Sequence, residues 1–427
     1  MLESNAQAEN PEKLAASAKR PHQTLQELSD IEDNEDILER FIPISEEDII
    51  ETLSNASVWT AEQSNTFRRV CNILVALYHA HFHDHLRQLK ASYLPFSPDR
   101  DTVIVKEISE EERLHLLDEL VANIDKVCER ANFERLDEEA LNEAMAKSSP
   151  YGVEVYVNFE EFHKMALYYR GSAIRHSKIR NWKWLWLRKK DIETPIYRRL
   201  FLMLKPSEEQ ESVANNKDVD ERCVYIKLFK NIPQYDLETL FPNTQIKMSL
   251  FDKIKLTVTG GGGTITGIAA FIAKAGTASF TGLFLALGGL AAVLWRQIAN
   301  VFSHRTKYMA TLAKNLYFYN LNNNMGAISQ VVDMAEGEDT KEALLAYYFL
   351  SAHGEENFTE ASLDARIEAH VKEAYGVSID FEVSDGLRKL DNLDLLIRQS
   401  DGTLQVKGLD ETLKKLNDDW DEMYDYK

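Results

Sequence analysis

Cysteine is scarce: Cys71, Cys128 and Cys223 are the only three in 427 residues. Thiols so few and so widely spaced exclude a disulfide framework and a cysteine-only zinc site. Positive charge is short as well, with 49 Lys and Arg against 69 Asp and Glu and a net charge of −20. Most of such a surface repels phosphate, so nucleic acid is not expected as the main partner. The N-terminus lacks both an apolar core and an arginine-rich pattern, so neither a secretory signal nor a transit peptide is expected. Residues 1–40 read as a disordered acidic lead. Catalytic signatures are missing too. There is no nucleophile elbow, His-Glu-x-x-His pattern, paired-carboxylate motif or dinucleotide fingerprint. No cofactor or catalytic residue is assigned, and the balance leans away from an enzyme.

Long apolar runs are also absent, with one exception at residues 256–295. Leu256 to Ala273 and Ala275 to Trp295 carry no charge, and Lys274 separates them. At 1.5 Å per residue these stretches make about 27 and 31 Å of helix, close to the roughly 30 Å of a bilayer core. The second is rich in Phe280, Leu283, Leu287 and Trp295. The first is diluted by Gly260–Gly263, so its helix is expected to open near Thr264. Gly288 and Gly289 would allow close helix contact. The expectation is a two-helix transmembrane hairpin over 251–303, turning at Lys274. The flanking cations Lys253, Lys255, Arg296, Arg305 and Lys307 place both termini in the cytoplasm.

Around this hairpin the pattern predicts an α+β, mostly helical fold. A helical region at 41–150 opens with Ser45-Glu-Glu-Asp and Thr60-Ala-Glu-Gln caps. One helix is predicted from Thr60 to Tyr93, and more helix from Glu110 to about Lys147. A small antiparallel β region at 151–250 contains Val153–Val157, Trp182–Leu187, Leu200–Leu204 and Val224–Phe229. A connecting helix and linker occupy 304–338. At 339–427, helices near 340–352, 359–375 and 384–391 precede a hairpin turning at Ser400-Asp-Gly, which is the order of a winged-helix-like module.

Four constellations invite function. His79, His81, His83 and His85 lie within seven residues of one helix, and their i,i+4 pairs have the spacing of a helical metal site. They are weak candidates, with packing or hydrogen bonding as the plainer role. The stretch 164–205 has twelve Lys and Arg against two acids. It interleaves Trp182, Trp184 and Trp186 with Arg188, Lys189, Lys190, Arg198 and Arg199, which suits an anionic membrane surface, although a Trp-lined core face explains it as well. Gly260–Gly263 superficially resembles a phosphate loop, but no Gly-Lys-Ser/Thr follows. The tail from 336 has 23 acids against 10 bases, so the module is expected to bind a protein rather than DNA.

Several strings then converge: Phe82-His-Asp-His-Leu-Arg-Gln-Leu-Lys-Ala-Ser-Tyr-Leu-Pro, Leu167-Tyr-Tyr-Arg-Gly, Tyr197-Arg-Arg-Leu, Leu228-Phe-Lys-Asn-Ile-Pro-Gln-Tyr-Asp, Leu316-Tyr-Phe-Tyr-Asn-Leu-Asn-Asn-Asn and Lys341-Glu-Ala-Leu-Leu-Ala-Tyr-Tyr-Phe-Leu. Over about residues 40–425 they resemble a family of uncharacterised two-span membrane proteins, bacterial and mitochondrial, that includes transmembrane protein 143. The resemblance implies a membrane anchor of unknown activity and supplies no catalytic residues. The acidic N-terminus favours a bacterial plasma membrane, with the mitochondrial inner membrane as the alternative. The leading expectation is a membrane-anchored, non-enzymatic scaffold, its basic region at anionic headgroups and its acidic tail on a protein partner. A metal-dependent membrane enzyme using the histidines, or an oligomeric small-solute transporter, is the alternative. Homo-oligomerisation stays open.

Overall fold

The computed structural model describes residues 31–33, 38–103, 105, 108–137, 141, 154–180, 189–207, 220–234, 237, 240–241, 245–247 and 316–423. The chain divides into two compact units. The smaller comprises Met1–Ile37 and Ser172–Ile196. In it, strand β1 (Ile31–Asp33) pairs antiparallel with a strand from the second segment, Ile31 opposite Arg175 and Asp33 opposite Ala173. Part of the lead expected to be disordered is therefore strand.

The larger unit, Leu38–Gly171 and Tyr197–Lys427, opens with helices whose starts follow their caps. The Ser45 hydroxyl accepts from the Asp48 amide and begins α1 (Glu46–Ser54). Thr60 and Gln63 form a reciprocal capping box at the start of α2 (Ala61–Tyr93). Pro95 ends it in a short 3-10 turn. The third helix, α3 (Glu110–Arg130), stops well before Lys147. Asn132 turns left-handed (φ 56°), and the Phe133 amide bonds back to the Cys128 carbonyl, which redirects the chain into a short strand, β2 (Glu134–Arg135).

The β region is larger than expected. After β3 (Glu154–Tyr156) come β4 (Phe162–Arg180) and β5 (Lys189–Pro206), strands of 19 and 18 residues, then β6 (Tyr225–Pro233) and β7 (Gln245–Lys247). The last strand of the sheet, β8 (Asn320–Asn323), enters from far along the chain and pairs antiparallel with β6. In the larger unit the strand order is β4-β5-β6-β8, with β2 also on β4, while β3 and β7 pair separately. Leu200-Phe-Leu-Met-Leu shows why the centre is apolar throughout. Leu200, Leu202 and Leu204 enter one buried cluster, and Phe201 and Met203 enter the other.

Asn324, also left-handed (φ 48°), turns β8 into the central helix α4 (Asn324–Ala352). Its side-chain oxygen accepts from the Ile226 amide of β6, 3.0 Å away. Beyond α4 come α5 (Glu360–Tyr375), closed by left-handed Gly376, then α6 (Val383–Asn392), the hairpin β9 (Leu396–Arg398) and β10 (Leu404–Val406), and α7 (Leu409–Glu422). From Glu338 to Leu350 every residue of α4 is buried, because α1, α2, α3, α6 and β6 all pack around it. Trp59 stacks on Phe67 at 5.3 Å, and Phe67 stacks on Tyr347 of α4 at 6.4 Å.

One fold expectation is overturned. Among the described residues no helix is long and apolar enough to cross a membrane, so a transmembrane hairpin is not supported. The longest described helices, α2 and α4, both carry charged side chains, in α4 between Asp333 and Glu342. Residues 251–303, with Thr264, Lys274, Phe280, Gly288, Gly289 and Trp295, lie outside the described residues. The tail keeps the expected order of three helices, a two-stranded hairpin and a last helix, and packs into the larger unit. Its first helix is the second half of α4, which begins at Asn324 rather than Thr340. Leu363, Leu387, Leu404 and Leu416 share one apolar cluster with Phe67 and Leu120. Each fully buried leucine contributes roughly 1.5–3 kcal/mol, and here they hold two ends of the chain together.

Candidate functional site

The densest polar chemistry lies inside the larger unit, on one turn of α4. Glu338, Asp339 and Glu342 are buried, and each is met by cations from other elements. Arg170 of β4 donates to Glu338 at 2.8 Å, Lys341 donates to the same oxygen at 2.6 Å, and the Ile42 amide donates to its other oxygen at 2.9 Å. Arg130, at the end of α3, grips one Asp339 oxygen with Nε at 3.0 Å and Nη2 at 2.5 Å. Lys389 of α6 lies 3.0 Å from the other Asp339 oxygen and pairs with Glu342. Asn132 donates to Glu342 at 3.2 Å.

The geometry of α6 makes the Lys389 contact feasible. Gly386 lies against α4 so closely that a Cβ there would sit 3.1 Å from the Glu342 carbonyl oxygen and 3.2 Å from the Ala346 Cβ. One turn later Lys389 reaches both carboxylates. Burial lowers the Arg170 and Lys341 cations, and Glu338 offsets part of the loss. Burial pushes the Glu342 carboxyl up to about 7 despite the opposing pull of Lys389; Glu338 and Asp339 nearby add to the rise. Arg170 Nη1 is buried without a hydrogen-bond partner. The ring of Phe41 lies 4.5 Å from its guanidinium carbon. Such a network is costly to break and fixes one packing of four elements.

The histidines fall on the exposed side of α2, and the structure separates their two pairs. His81 and His85 bring their Nε2 atoms to 3.0 Å, with ring centroids 4.5 Å apart. The His79 and His83 centroids stay 6.4 Å apart, and His79 Nδ1 bonds Glu336 at 3.0 Å. His81, expected to be packed or hydrogen-bonded, is exposed and hydrogen-bonded to His85, while Phe82 beside it is buried. Among the described residues no group of three or more His, Cys, Asp or Glu side chains is placed to hold a metal ion. Cys71 and Cys128 are buried; burial pushes the Cys71 thiol up to about 12 and Cys128 well above its usual value, so neither is a nucleophile.

Of the basic, tryptophan-bearing stretch, Trp182, Trp184, Trp186 and Arg188 lie outside the described residues, as do the side chains of Lys189 and Lys190. Arg198 and Arg199 are half-buried, and burial lowers both guanidiniums. A cavity of about 370 Å³ lies between the start of α3 and the sheet, lined by Phe96, Glu110, Arg113, Leu117, His163 and Lys205.

The end of α7 is different in kind. Asp418, Asp421 and Glu422 are exposed, and so are the indole of Trp420 (41%) and Met423 (37%). Asp419 is half-buried and paired with Lys415 at 2.5 Å. The last turn contains no basic residue.

Sequence reasoning missed the buried network. Gly337-Glu-Asp-Thr-Lys-Glu has the composition of a linker, and its partners at Arg130, Arg170 and Lys389 are remote in sequence. The only local hint was that Lys341-Glu-Ala-Leu runs directly into an apolar helix.

A family model described as a protein of unknown function (DUF3754) matches residues 162–326, from β4 to the first turn of α4. This fits an uncharacterised family, with activity unknown, and by itself establishes neither membrane spans nor membership of the group that includes transmembrane protein 143. No solved structure matches the chain.

Proposed function

We propose that this chain is a non-enzymatic interaction protein whose acidic tail docks a basic polypeptide at the end of α7. The carrying observation is a helix that ends against its own dipole. The C-terminal end of a helix is the negative pole, where carboxylates are unfavourable by about 0.3–1 kcal/mol each. Four acids, Asp418, Asp419, Asp421 and Glu422, nevertheless crowd that pole, and only Asp419 has a cation on its own helix. Among them stands an indole that core packing has not covered. A Lys- or Arg-rich segment would relieve the pole, and its guanidinium or an apolar neighbour would cover Trp420. The charge supports a basic partner over an acidic or neutral one.

The test uses a fluorescently labelled peptide in which Arg and Leu alternate, titrated with the full chain at 50 mM salt. Micromolar binding that weakens with salt is expected. Replacing Asp418, Asp421 and Glu422 by their amides should weaken it at least tenfold, and Trp420→Ala severalfold. Because the chain carries 69 acids, general attraction would survive the loss of three. Unchanged affinity in both variants rejects the reading.

A further inference from the structure

The histidine run on α2 is not used by a tail-docking function. The expectation offered two equivalent i,i+4 pairs, but only His81 and His85 converge. Their Nε2 atoms are 3.0 Å apart on adjacent turns, while His79 is turned away to Glu336. We propose that His81 and His85 form a two-point site for a divalent ion with square-planar or octahedral preference, Cu²⁺ above all and Ni²⁺ next.

The separation suits cis coordination of one ion by both rings. With metal–nitrogen bonds of about 2.0–2.1 Å, donors 3.0 Å apart subtend roughly 94° at the ion. That is close to the cis angle of square-planar and octahedral ions. A tetrahedral zinc ion would need the two nitrogens about 3.3 Å apart. Imidazole donors and the general affinity order of divalent metals both put copper first.

The surroundings allow the ion to enter. Both rings are exposed at the helix surface, leaving the remaining positions to water or to a ligand from outside. Without metal, one ring donates its Nε2 proton to the other. With metal, that proton moves to Nδ1 of the same ring, so both Nε2 lone pairs face the ion and no net proton is released. Arg130, whose charge acts on both rings, is bonded to Asp339 at 2.5 Å, which offsets its repulsion of an incoming ion. Asp84, between the two histidines, is committed to Arg87 and Gln88. The site thus has two protein ligands and open coordination rather than a closed cage.

The experiment uses the full chain stripped with a chelator. Cu²⁺ is titrated calorimetrically at pH 7.4 against a competing weak ligand, and the product is examined by electron paramagnetic resonance. One ion per chain is expected at micromolar affinity or tighter, with hyperfine splitting from two imidazole nitrogens. His81→Asn and His85→Asn should each weaken binding at least tenfold, while His79→Asn/His83→Asn leaves it unchanged. Circular dichroism checks that each variant remains folded, and the two single variants answer the question independently. If the His79/His83 variant loses the ion, or if His81→Asn and His85→Asn both bind as wild type, the assignment is wrong.

Discussion

Glu342 is a carboxylate whose titration is set by its surroundings. Its carboxyl is raised to about 7 from an ordinary value near 4.5, so the folded chain holds a proton there that the unfolded chain releases. The group therefore favours the folded state below about pH 4.5, and that contribution is lost as pH rises through 7. Glu342→Gln keeps the shape and removes the titration. Between pH 5 and 7.5, urea unfolding should shift in favour of the variant relative to wild type by about 1–3 kcal/mol. A constant difference across that range would show that Glu342 titrates normally. Asp339 tests the network from the other side. Asp339→Ala leaves Arg130 and Lys389 without their shared carboxylate, and about 3–5 kcal/mol should be lost in the same assay. At this scale the caps were legible, because Ser45 with Asp48 and Thr60 with Gln63 bond within one turn. The buried acids were not, because nothing near Glu338 in sequence announces Arg170.

Elements were readable where their stop signals were conventional. Pro95 ends α2 and Gly376 ends α5, each for a local steric reason. Asn132 does the same for α3, but asparagine within a helical pattern of leucines gives a weak signal; of the further helix expected up to Lys147, residues 138–140 and 142–147 lie outside the described residues. The longest strand, β4, went unseen because Phe162-His-Lys-Met-Ala-Leu-Tyr-Tyr-Arg mixes charged and apolar residues without clean alternation. Helix packing has its own test at Gly386. Gly386→Val would drive a branched side chain into the Glu342 carbonyl and the Ala346 methyl. Forcing α6 off α4 should cost about 1–3 kcal/mol by denaturant unfolding. Full stability in that variant would mean that α6 has room to shift without displacing Lys389.

On the scale of the molecule, the hydrophobic pattern specified which faces are apolar but not which faces meet. Residues 339–427 keep the element order of a small winged-helix-like module, but the first of its helices is buried by partners from the other end of the chain. Arg40 pairs with Glu382, and the Asp380 amide donates to the Glu39 carbonyl at 3.0 Å, fastening the two ends again. A fragment of residues 339–427 expressed alone should therefore lack dispersed amide resonances and a cooperative melting transition. A sharp melt would restore the module as a folding unit. The same placement of α4 sets a schedule for biosynthesis. Helices α1 to α3 are complete at Arg130, but the helix that covers their apolar faces is not finished until Ala352. At roughly 5–20 residues per second the ribosome needs about 10–40 s to cross that interval. Until then the nascent chain displays Phe67, Leu74 and Leu120 uncovered, a window in which chaperones or neighbouring nascent chains compete for the surface that α4 later occupies.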